Sequence, residues 1–136
     1  MLTGRIASSR EYLDLRGNIE EEVLLEMPEY KKAVDEYNTQ ESKYLRQKEI
    51  VAGLKADRRI IENNQSRIAN YAEKIKFIES YLEPETAKLT RLEKQAKVSF
   101  DGKRKLEFLL KDVRVYDRVD FLVKIKLIEL RVRKPN

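Results

Sequence analysis

The stretch LKADRRIIENNQSRIANYAEKIKFIESYLEPETAKLTRLEKQA, residues 54–96, decides how this chain is built. Leu54, Ile61, Ile68, Ile75, Leu82 and Leu89 recur at seven-residue spacing, and Ala96 closes the series. Tyr71, Ile78 and Leu92 each follow a member of that ladder by three residues. A seven-residue repeat split into steps of three and four keeps one apolar seam on one side of an α-helix, and such a seam needs a partner helix. Leu54, Ile61, Ile68, Tyr71, Ile75, Ile78, Leu82, Leu89 and Leu92 are therefore the expected helix interface.

Upstream of this ladder runs a second one, Tyr30, Tyr37, Tyr44 and Val51. It reads as a helix-packing seam with the hydroxyls at its wet edge, not as a base-stacking platform. Val51 to Leu54 is a step of three, which reads as a phase shift: a stammer in one coil, or a turn between two antiparallel arms. Gly53 favours a break near 52–57, and the polar run Glu62, Asn63, Asn64, Gln65, Ser66 offers a second turn near 63–66. From Pro28 to Glu83 there is no other proline, and one continuous helix there would be roughly 80 Å long. A hairpin lets part of the seam pair with itself. Pro84 disfavours helical geometry at Glu83, so a kink is expected at 83–84. Arg58, Gln65 and Glu79 interrupt the seam and argue against one uniform parallel dimer.

The first 27 residues read as short helical pieces. Ser8 with Glu11 fits a capping box and Gly17 a left-handed stop; Asn18 with Glu21 starts a second piece, and Pro28 suits the first turn of the next helix.

Beyond residue 97 the pattern changes. Asp101-Gly102 lies between the strand-like runs Val98-Ser99-Phe100 and Lys103-Arg104-Lys105-Leu106, which signals a β-hairpin. Val119, Phe121, Val123, Ile125 and Leu127 alternate with other residues; the parity then flips to Ile128, Leu130 and Val132, which suggests a bulge. Strands over 97–101, 104–115 and 118–133 are expected, although Leu106, Leu109, Leu110 and Val113 also suit a short helix. The expected fold class is α+β, mainly α. A long coiled-coil-type helix or antiparallel helical hairpin precedes a small C-terminal antiparallel β-meander. The expected segments are 1–27 helical, 28–97 coiled coil, and 98–136 a basic β-rich module.

Of 136 residues, 41% are apolar and 39% charged, a share that suits long solvated helices. Cys, His and Trp are absent, which removes disulfides, thiolate chemistry and the usual zinc, copper and haem ligands. No metal or cofactor is expected. No apolar run reaches a membrane-spanning length, and residues 1–16 lack a signal-peptide core. The expectation is an intracellular soluble protein, cytoplasmic or within a virion or other large assembly. Isolated glycines at 4, 17, 53 and 102 form no phosphate-cradling loop. Asp112, Asp117 and Asp120 are close in sequence but read as turn and surface charges, so no enzyme is expected.

The net charge of +5 resides in the last 36 residues, which hold 11 Lys/Arg against 6 Asp/Glu. Lys103, Arg104, Lys105, Lys124, Lys126, Arg131, Arg133 and Lys134 are the candidate nucleic-acid contacts, with Lys124 and Lys126 on one strand face. Phe100, Phe108, Tyr116 and Phe121 are available to stack bases, but Phe108 and Phe121 fall on the apolar parity and read as core. Lys and Arg protecting an edge strand explain the same pattern. The leading expectation is a non-enzymatic structural or assembly protein that associates with itself or with other subunits through the seam, the basic tail being a second contact. A nucleic-acid-binding accessory protein is the alternative.

Overall fold

A computed structural model describes residues 4–136. In chain order it contains β1 (Arg5–Ile6), α1 (Ser9–Leu25), α2 (Pro28–Asn63), a 3-10 turn (Gln65–Arg67), α3 (Tyr71–Leu110), α4 (Val113–Glu129) and β2 (Val132–Arg133). Two compact units result. A terminal unit combines the residues up to Val34 with Gly102–Asn136, and a hairpin unit spans Asp35–Asp101.

In the terminal unit, Ser8 caps α1: its Oγ accepts from the Glu11 N–H at 3.1 Å. The helix then runs straight through Gly17, because Tyr12, Leu15, Ile19 and Val23 continue one apolar face across it. Gly17 is not a stop. Asp112 caps α4 in the same way as Ser8 caps α1, accepting from the Val115 N–H at 3.1 Å. Val115, Val119, Val123 and Leu127, four residues apart, bury one stripe of α4 against Ile19 and Val23 of α1. The helices are antiparallel: Arg118 meets Glu26 at 3.2 Å, whereas Asp120 meets the earlier Arg16 at 2.5 Å. β1 and β2 pair in parallel, Arg5 with Val132 and Ile6 with Arg133, and cover the end of this core. Gly4 permits that closure, since a Cβ there would lie 2.1 Å from the Arg131 carbonyl oxygen.

The antiparallel meander is absent, and this is the main correction to the sequence reading. Residues 97–110 lie in α3, 113–129 lie in α4, and β2 is two residues long and parallel to β1. The reason is arithmetical. A period of two contains a period of four, so Val115, Val119, Val123 and Leu127 satisfy either reading, whereas Phe121 and Ile125 are exposed as only a helix allows. The apparent parity flip is the end of α4: the Leu130 N–H bonds back to Lys126 O and Ile128 O, and Arg131 follows with φ 53°. Asp101-Gly102 makes no turn, because the seven-residue pattern continues through it as Leu89, Ala96, Lys103 and Leu110.

In the hairpin unit, α2 and α3 pair antiparallel. Tyr37 packs on Phe100 with ring centroids 5.4 Å apart, Gln47 bonds Glu85, and Arg58 bonds Glu79 at 2.9 Å. The two ladders are not out of phase. Tyr37, Tyr44, Val51 and Leu54, Ile61 share one inward face of α2, and the step of three between Val51 and Leu54 is the normal short step of a heptad. Gly53 lies inside α2, and the chain turns at 64–70. There the Asn64 Nδ2 donates to Ile60 O at 2.7 Å and Asn70 takes φ 58°, a conformation that asparagine tolerates. α3 passes through Pro84 without a break, so Glu85 starts no separate helix. The pairing against α2 outweighs the one backbone hydrogen bond that proline removes.

Gly53 and Gly102 have open space around the position of a Cβ. Gly53→Ala and Gly102→Ala should each raise stability by about 0.5–1 kcal/mol, because alanine loses less backbone entropy in a helix. Denaturant melts monitored by helical ellipticity measure this. A lower midpoint at either site would contradict helix there.

Candidate interaction surface on the outer face of α4

The expected interface residues are brought together within one chain. Leu54 and Ile61 from α2 face the seam of α3, where Ile78, Leu92 and Ala96 are buried and Tyr71, Ile75, Leu82 and Leu89 half-buried. Ile68 sits in the turn, half-buried. Polar residues punctuate this seam. Buried Gln47 donates its amide to Glu85 O at 2.9 Å and to the Glu85 carboxylate, while the Gln40 Oε1 is buried with no partner. Arg58 and Glu79, which looked like interruptions, are each other's partners across the hairpin.

The expected basic face is not assembled in the same way. Lys124 and Lys126 lie on a helix, about 200° apart, rather than on one strand face. Lys126 pairs with Glu129 at 3.7 Å, and Lys134 stands over the Tyr12 ring at 5.3 Å. Lys103, Arg104 and Lys105 are consecutive in α3 and fan around it, while Arg131 precedes β2 and Arg133 lies in it. Lys111, outside the expected set, is held between Glu107 at 3.0 Å and Glu20 at 3.5 Å. Burial pulls its ammonium down, but the two carboxylates outweigh that and raise it above the usual lysine range.

The three aspartates also separate by role: Asp112 caps α4, Asp120 pairs with Arg16, and Asp117 is exposed on the outer side of α4. Tyr30 is fully buried and donates its hydroxyl to Glu21 at 2.9 and 3.1 Å. Burial, reinforced by the Glu21 carboxylate, pushes its phenol far above the ordinary tyrosine range. This is a packing anchor, with no bound group implied. Among the described residues no cluster of three or more carboxylates suits a metal ion, and no helix is long and apolar enough to cross a membrane.

What remains conspicuous is the other side of α4. Opposite its buried stripe, Phe121 is 60% exposed, Ile128 66% and Val113 72%, with Ile125 beside them. Phe121, Ile125 and Ile128 follow the i, i+4, i+7 rule, so they form one continuous apolar strip. Ile128 also edges an open groove of about 900 Å³ between α1 and α4, with Leu13 on the facing lip and Lys124 beside it. A helix apolar on two opposite faces has the composition of one covered on both. Sequence reading missed this surface because Phe121 and Ile125 were assigned to the core by the period of two. Testing a period of 3.6 over 113–129 places them opposite Val119 and Val123.

No protein-family model, curated protein or solved structure matches the chain.

Proposed function

We propose that this chain is a non-enzymatic structural or assembly protein that associates with other protein subunits through the outer face of α4. One observation carries the reading: Phe121, Ile125 and Ile128 leave a contiguous apolar strip in water on a helix whose opposite face already fills a core. The heptad seam supports it differently from the way the sequence suggested. It closes the hairpin within one chain, so association through a second surface leaves the hairpin intact.

The test is the size of the particle that contains the chain in a gently prepared native extract. The chain alone has a mass of 16.1 kDa. The expected result is sedimentation well above that mass, falling to it when Phe121→Asp and Ile128→Asp are combined. Sedimentation at the monomer mass for the unaltered chain would refute the reading.

A further inference from the structure

The outer strip of α4 carries its own specification of a partner. Asp117 and Lys124 are seven residues apart, so at 3.6 residues per turn they lie within about 20° of each other along the same edge of the strip. Both are exposed, and no ion pair involves either among the described residues. Opposite charges at one heptad position have a definite consequence for self-pairing. In a parallel two-fold pair of α4 helices the edge that carries Asp117 and Lys124 faces the opposite edge of the partner helix, so the two residues do not meet. In an antiparallel pair related by a two-fold axis between residues 120 and 121, Asp117 of each copy faces Lys124 of the other.

The same axis satisfies the apolar residues. It places the two Phe121 rings beside each other at the centre. It also sets Ile128 of one copy opposite Val113 of the other, twice over. These are the three most exposed apolar side chains of the helix. Charge and apolar pattern therefore agree on one register, which an unrelated partner would have no reason to require.

From this we infer that the occupant of the α4 face is a second copy of this chain, in an antiparallel two-fold dimer with two reciprocal Asp117–Lys124 pairs. The inference rests on the reading of this face as an association surface and specifies its partner. One helix face per copy is a small interface, so the dimer should be reversible and concentration-dependent.

Sedimentation equilibrium of the purified chain over a wide concentration range tests it, using the unaltered protein, Asp117→Lys, Lys124→Asp and the double exchange. Each single exchange sets like charges together twice and should weaken the dimer by about tenfold. The double exchange restores both pairs and should restore the affinity. Helical ellipticity should stay constant across the set, since both positions are exposed. High salt should reduce the difference between the variants. A purified chain that stays monomeric overturns the inference, as does a dimer indifferent to both single exchanges. If such a monomer still sediments in a large particle in native extract, dependent on Phe121 and Ile128, only the identity of the partner is wrong. If it does not, the association reading falls as well.

Discussion

Val119→Asp is expected to abolish cooperative folding of the terminal unit, while Phe121→Asp, two residues away, leaves its stability unchanged within about 0.5 kcal/mol. Val119 is 0% exposed at the centre of the stripe that packs on α1, with Ile19 and Val23 among its core companions. None of those core neighbours is a cation, so an aspartate there is either an unpaired buried charge or a protonated acid without a hydrogen-bond partner. Either state costs about 3–5 kcal/mol. A small domain typically has about 5–15 kcal/mol in all, so the loss takes most of the margin. Phe121 points to water, and a charge there displaces nothing from the core. The comparison discriminates between folds. On a strand the two positions would share one face and respond alike, whereas on α4 they lie about 200° apart. Chemical denaturation followed by ellipticity reads both. Equal destabilisation by the two substitutions would contradict the helical placement of α4.

Val119 and Phe121 also show where the sequence is ambiguous. The β-branched content of α4, with Val113, Val115, Val119, Val123, Ile125 and Ile128, favours strand by propensity, and its pattern fits both periods. Tertiary packing against α1 decides the matter, and α1 lies about a hundred residues earlier in the chain. Local helix signals were easier to read. Ser8 and Pro28 stand where capping chemistry places them, at the starts of α1 and α2. Asp112 is an N-cap of the same kind, disguised by the strand-like residues after it. The glycines misled for a different reason. Gly17, Gly53 and Gly102 look like a stop, a break and a hairpin turn when read singly, yet each helix gains more by continuing its seam than glycine costs. The exposed apolar strip was illegible for the same reason as α4 itself, since a residue assigned to the core cannot also be assigned to the surface.

Combining Ile78→Asp with Leu92→Asp should open the hairpin unit. Both side chains are buried in the α3 seam, and each aspartate would cost about 3 kcal/mol where it meets the apolar stripe of α2. A two-helix hairpin buries one stripe per helix, and most of this seam is only half-buried, so little stability is in reserve. Amide hydrogen exchange at Val51 and Leu54 should accelerate toward unfolded-chain rates, with loss of helical ellipticity. In the unaltered protein the same amides should be protected to an extent independent of protein concentration, because the partner of each seam residue belongs to its own chain. A seam shared between chains behaves otherwise, since protection then rises with concentration and disappears on dilution. Ile68→Asp is the internal control. It lies in the turn at 64–70, outside both long helices, and should perturb exchange less than the buried pair despite its place in the same seven-residue ladder. If Ile68→Asp matched the effect of the buried pair, the ladder would run through a single uninterrupted helix. The turn between α2 and α3 would then be wrong.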